Sequence, residues 1–130
     1  MMSAERAVRA RAIACLSADA ELTGRVHGVF DGTPPRATAP YVAVGAAEGA
    51  DWGTKDRAGR EVRLTVTLYG VGDSLADLAA ARIEAVLAAL RGSAGNWSVV
   101  SARIVRTRFG FVRDGGWRED FVVRCRCLAV

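Results

Sequence analysis

The sequence is poor in the residues that usually carry chemistry. Among its 130 residues there is one histidine, His27, and one lysine, Lys55; there are three cysteines and three prolines. A lone His27 leaves no Ser/His/Asp set with a recognisable spacing, and the acids are too scattered to form an acid–base pair. Three cysteines, Cys15, Cys125 and Cys127, are an odd count without an export signal, which argues for free thiols. A zinc site needs about four ligands, and only Cys15 and His27, from distant segments, would complete the pair Cys125 and Cys127. Nor are Cys125 and Cys127 a good disulfide pair within one extended strand. No apolar run reaches membrane-spanning length, because Arg, Asp, Glu or Gly interrupts each one. The N-terminus Met1-Met2-Ser3-Ala4-Glu5-Arg6 lacks the apolar segment of a signal peptide, so the chain is expected to be made and kept in the cytoplasm. Neither catalysis, nor a metal, nor a cofactor is expected.

What is present is a core. Half the residues are apolar, 51% by count, so composition excludes disorder and supports one domain over residues 1–130. The net charge is +4, and the excess is almost all arginine. Arg-for-Lys usage with much Ala and Gly points to a GC-rich genome more than to a nucleic-acid partner.

The organising stretch is residues 60–91. Val62, Leu64, Val66 and Leu68 alternate with Arg63, Thr65, Thr67 and Tyr69, which predicts a strand with one buried face. After Gly70-Val71-Gly72-Asp73 the period changes to three and four. Leu75, Leu78, Ala79, Ile83, Val86, Leu87 and Leu90 then form the stripe of an amphipathic helix, with Ser74 as N-cap and Gly92 after its end. The glycines before the helix invite a dinucleotide-binding reading. However, Leu75 stands where a third small residue is needed, and Asp73 would face a phosphate with like charge.

Residues 3–20 predict a first helix, with Val8, Ala12, Cys15 and Leu16 inward, Arg6 and Arg9 away from that stripe, and Gly24 as its closing residue. Residues 25–30 read as a short edge strand. Pro40 opens a strand over 41–47. Residues 48–59 have neither period and read as a long hairpin loop around Trp52. Residues 97–112 form a long strand. In it, Trp97, Val99, Val105, Phe109 and Phe111 share one parity and Val100, Ala102 and Ile104 the other. The Asp114-Gly115 turn then returns the chain through 117–128, with Phe121, Val123, Cys125 and Cys127 inward and Arg124 and Arg126 outward. The expected fold class is α+β: two layers, with a mixed, mostly antiparallel sheet and two helices packed on one face. The strand–helix–strand unit permits a parallel neighbour by a right-handed crossover. The arginines of 103–126 make a basic stripe. Glu119 and Asp120 lie among them without aromatic stacking residues, which favours a solvated face or contacts to another subunit over specific nucleic-acid binding. Lone tryptophans in or beside hairpin loops, Trp52 and Trp117, either meet an interface, which favours Trp and Arg, or cap their own sheet, and the interface reading suits Trp52 more than Trp117.

The arrangement resembles the tail-completion, or tail-terminator, proteins of lambda-like long-tailed phages and gene transfer agents. The resemblance rests on the Ala/Leu helix ending in Asp19-Ala20-Glu21-Leu22-Thr23-Gly24, on Arg25-Val26-His27-Gly28-Val29-Phe30 before Pro34-Pro35, and on Ala39-Pro40-Tyr41-Val42-Ala43-Val44-Gly45 with Trp52 following. The central strand, the helix and the closing arginine-bearing strands complete it, so it spans nearly the whole chain. It implies structural work without catalysis: a homo-oligomeric, hexameric ring at the head-proximal end of the tail tube. Tail tube protein would lie on one side and a head connector or stopper on the other. DNA would pass through the lumen without specific binding, and no membrane is involved. The interface candidates are Trp52, Lys55, Arg57, Arg113, Trp117 and Arg118. Competing readings are a stopper or adaptor of the head–tail joint, a small basic nucleic-acid-binding module, and a cytosolic enzyme, which nothing in the sequence supports.

Overall fold

A computed structural model describes residues 2–72 and 76–130, apart from the side chains of Ala76 and Asp114. Helix α1 spans Ala4–Ala18, and Ser3 caps it by accepting from the Arg6 amide. Ala4, Ala7, Val8, Ala12 and Leu16 are its buried residues. Three alanines in that row let the helix backbone lie close to its neighbours, while the fully buried Leu16 contributes about 1.5–3 kcal/mol. Asp19 ends α1 and caps the single turn α2, Ala20–Thr23, accepting from the Leu22 amide at 3.0 Å. This turn is a third helix beyond the two expected. Gly24 closes it in ordinary right-handed geometry, with φ −75°, and not as a left-handed terminator.

Six strands follow: β1 Val29–Asp31, β2 Tyr41–Asp51, β3 Gly59–Val71, β4 Gly92–Ala94, β5 Trp97–Phe111 and β6 Gly116–Ala129. Helix α3, Ala76–Ala88, lies between β3 and β4. The strands form one sheet in the order β1-β2-β3-β6-β5-β4. Among the described residues only β1 and β2 are parallel, and every other pair is antiparallel. Strands β3 and β5 are both antiparallel to β6 and so parallel to one another. The expected crossover therefore exists, but the β5–β6 hairpin folds back and places β6 between its two strands.

The α+β class and the mixed sheet hold, but the plain two-layer picture does not. The sheet curls into a half-barrel. Register shifts between Val44 and Ala47 in β2, and at Val100 and Val105 in β5, supply the cause, because an extra residue bends its strand and raises local twist. The two bulges in β5 also correct its expected parity. Ala102 and Ile104 lie opposite the buried Cys125 and Val123, so they share the inner face with Trp97 and Val99. The second bulge restores the original parity, and Phe109 and Phe111 lie opposite Glu119 and Trp117 on that same face.

The core sits between α1, α3 and the inner sheet face: Val62, Leu64, Val66 and Leu68 of β3 meet Phe121, Val123, Cys125 and Cys127 of β6. Ala79, Ile83, Leu87 and Leu90 are buried as the helical period requires, whereas Leu78 is exposed. Ser74, Leu75 and Asp73 lie outside the described residues, so the expected cap and the third position of the glycine motif fall there. Helix α3 ends before Gly92. That glycine instead opens β4 at φ +132°, where any Cβ would press on the Arg11 guanidinium.

Candidate interaction surfaces

Register places the six interface candidates at two opposite ends of the sheet. Gly59 pairs with Leu128 at one end of β3, and Val71 pairs with Gly116 at the other. Thirteen residues of strand separate them by about 40 Å. Trp52, Lys55 and Arg57 belong to the first end; Arg113, Trp117 and Arg118 belong to the second.

At the first end, strand pairing runs to Asp51, so the loop between β2 and β3 is residues 52–58, shorter than the expected 48–59. It is ordered by its own polar groups. The Trp52 amide donates to the Gly59 carbonyl, Thr54 Oγ1 accepts from the amides of Asp56 and Arg57, and Arg57 donates twice to the Ala129 carbonyl. The half-buried Trp52 ring lies under the Arg126 guanidinium at 5.5 Å. Lys55 is exposed at the tip.

At the second end, Arg113 lies on an exposed 3-10 turn, Arg113–Gly115, that closes the β5–β6 hairpin. Trp117 is buried within its own chain. Its indole lies over Gly70, directly opposite on β3, and its Nε1–H donates to the Gly72 carbonyl at 2.7 Å. The glycines that resembled a phosphate loop thus seat an indole: Gly70 leaves room for the ring, and Gly72 turns at φ +68° to present its carbonyl. Arg118 projects to the outer face, over the Tyr69 ring, and donates to Asp120 Oδ1 at 2.9 Å.

The outer face of the sheet carries the charge. Arg63 of β3, Arg124 of β6 and Arg103 of β5 pair directly across three adjacent strands, with Glu48 next in the row on β2. Like charges directly opposite destabilise a sheet. Glu61 offsets part of this through Arg126 at 3.2 Å and Arg124 at 3.7 Å, and Arg124 Nε is buried without a hydrogen-bond acceptor among the described residues. Arg63, Arg103, Arg106 and Arg108 form no ion pair among the described residues. Asp120 is already committed. Burial pushes its carboxyl up, but hydrogen bonds from Thr67 and Arg118, with the charges of Arg118 and Arg108, bring it below the usual range. Between these side chains lies a shallow cavity of about 370 Å³, lined by Arg63, Thr65, Val105, Arg106 and Val122 among others.

The inner face carries the opposite sign at the second end. Glu119 is pushed up by burial and then by Glu84 and Asp77 of α3. None of these three acids forms an ion pair among the described residues. Beside them Phe109 and Phe111 meet edge to face at 5.4 Å, and Phe111 is 82% exposed.

Sequence reasoning missed what two arginines of α1 do. Arg9 donates to the carbonyls of Val44 and Gly45 at the β2 bulge and to Asp31 on β1. Arg11 donates to the carbonyls of Leu90 and Arg91 between α3 and β4, and of Ser93 in β4. The only available signal was their position on the flank of an apolar stripe. Burial pushes the Cys125 thiol up to about 12 and Cys127 up to about 11, so both are inert packing residues. His27 Nδ1 lies 3.1 Å from the Thr38 carbonyl. Among the described residues no three His, Cys, Asp or Glu side chains are grouped to hold a metal ion, and no helix is long and apolar enough to cross a membrane.

The profile of a known family, described as Tail completion protein gp17, matches residues 10–128. A solved chain from a structure titled "Virion of native gene transfer agent (GTA) particle" superimposes with a TM-score of 0.82 at 26% identity, covering 93% of this chain and 94% of that one. No curated protein matches the sequence. The chain belongs to the tail completion protein gp17 family, whose members are structural components of phage-like tails.

Proposed function

Starting from that membership, we propose that the whole chain acts as one tail-terminator unit. Copies form a ring, hexameric by the resemblance above, at the head-proximal end of a tail tube, and the ring joins the tube to the head connector. The observation that carries this reading is the family match over nearly the entire chain. The geometry supports it. A subunit that touches two different rings needs two separate contact zones, and the six candidates divide between opposite ends of a long sheet. Trp52, Lys55 and Arg57 serve one neighbour; Arg113 and Arg118, with Trp117 holding their end rigid, serve the other. DNA passes through the lumen without being held. The protein works by shape and contact and is not an enzyme.

The test is to mix the purified chain with its tail tube protein and measure tube lengths by negative-stain microscopy. Tubes of limited length, each closed by a ring at one end, are expected. Tubes that elongate as they do without the chain would refute the reading. Rings found on connectors but never on tubes would transfer the protein to a stopper role.

A further inference from the structure

The outer face of the sheet is rich in arginine, and the inner face at the second end is acidic, so the two carry opposite sign. Among the described residues, Arg63, Arg103, Arg106 and Arg108 form no ion pair on one face, although Glu48 and Asp120 lie across from Arg63 and Arg108, and Asp77, Glu84 and Glu119 form none on the other. Arg103 faces Arg124 across the strands, and Glu119 lies near Glu84 and Asp77, so like charges crowd both places, and an occupant of opposite sign would relieve them. The acidic group also presents an exposed aromatic pair, Phe109 and Phe111. The basic face offers a shallow cavity where Val105 and Val122 lie beside Arg63 and Arg106, with Glu48 also in its lining. Phenylalanine faces attract guanidinium groups, and aromatic anchors surrounded by charge pairs are typical of interface centres.

We infer that the acidic, phenylalanine-tipped corner of one copy seats on the arginine row of the next. This rests on the ring reading above and names the contact that makes the ring. Because the two surfaces lie on opposite faces of one sheet, the contact is head-to-tail and each copy leaves its second surface free for another. Such an interface repeats until rotation closes it. The ends with Trp52 and Arg113 remain free for neighbours above and below.

Three variants test this, each checked for folding by thermal unfolding. R103E/R106E reverses the basic row, D77R/E84R reverses the acidic corner, and F111S removes the anchor. All five positions are exposed, so the fold should hold. Association is read by sedimentation of the free chain and by counting rings on tube tips. Each charge reversal should weaken association at least tenfold, and so should F111S. A chain carrying all four reversals should recover rings, because its complementarity is restored with the signs exchanged. Folded single-surface variants that assemble like wild type overturn the inference while leaving the ring reading intact. So does a four-reversal chain that stays dissociated. Unchanged assembly with lost DNA retention assigns the arginine row to DNA instead, which also overturns it. A wild-type chain that stays monomeric both free and on tubes overturns this contact and the ring reading together.

Discussion

Arg11 offers the sharpest test of how the two helices are tied together. Its guanidinium donates to the carbonyls of Leu90 and Arg91 at 2.7 Å each and of Ser93 at 2.9 Å. Leu90 and Arg91 belong to the turn between α3 and β4, and Ser93 to the short edge strand β4. Charge-assisted hydrogen bonds contribute about 1.5–3 kcal/mol each when buried. Only the bond to Leu90 is partly buried; the other two are exposed, and water replaces them at little cost. Arg11→Met keeps the packing of the side-chain stem and loses the bonds, so the expected cost is about 2–3 kcal/mol. For a domain of this size that lowers Tm by about 7–11 °C. Arg11→Lys should recover less than half, since an ammonium cannot present the fork that reaches three carbonyls. Gly92→Ala attacks the same seat from the other side, by clash and by its positive φ. The two changes should therefore be strongly non-additive in a double-mutant cycle. Calorimetry on the four proteins decides it. A Tm for Arg11→Met within about 2 °C of wild type, or simple additivity with Gly92→Ala, would refute the reasoning.

Gly70→Ala should cost about 1–3 kcal/mol by displacing the Trp117 indole, and should cost little once Trp117 is already Leu; denaturant titration of both pairs checks this. Trp52→Ala should leave Tm within a few degrees but lower particle yield, because its half-buried ring contributes little to the core; normal yield would count against an interface role. The Arg82 hydrogen bonds hold the Asp19 carboxyl below its ordinary 3.8, so their contribution is full above that value and is lost as pH falls through the lowered pKa. Asp19→Asn should flatten acid unfolding in that range, and an unchanged pH profile would refute the assignment. Glu119 acts with the opposite sign. Burial and the acids beside it raise its pKa above 4.5, so wild type loses stability as pH climbs past that value, and Glu119→Gln should remove the loss.

The elements were largely legible because their periods are clean. Val62 to Leu68 alternate on a half-buried strand, and Ala79, Ile83, Leu87 and Leu90 recur at helical spacing; burial followed both patterns. The bulges were not legible. Nothing in Val99-Val100-Ser101 or Ile104-Val105-Arg106 announces an extra residue, since each is decided by pairing with a strand that comes later in the chain. The crossover was half legible: local pattern gave strand, helix and strand, but only the tertiary arrangement inserts β6 between them. Arg9 was misread, and Arg11 passed over, for a related reason. A helix wheel shows which way a side chain leaves the helix, not which unpaired carbonyls wait there. Trp117 looked like an exposed hairpin aromatic until Gly70, about fifty residues earlier, was seen to make its seat. The interface candidates were chosen as lone aromatics and cations in loops, a chemical criterion. Their division between two ends of the sheet follows from register alone.

The central claim of the proposal concerns place: copies of this chain form one ring per particle, between tail tube and head. Val130 is 86% exposed and accepts a label without touching the core. Electron microscopy of particles carrying a labelled C-terminus should show density in one band at the neck and nowhere along the tube. Label spread along the tube, at the distal tip, or missing from intact particles would contradict the account.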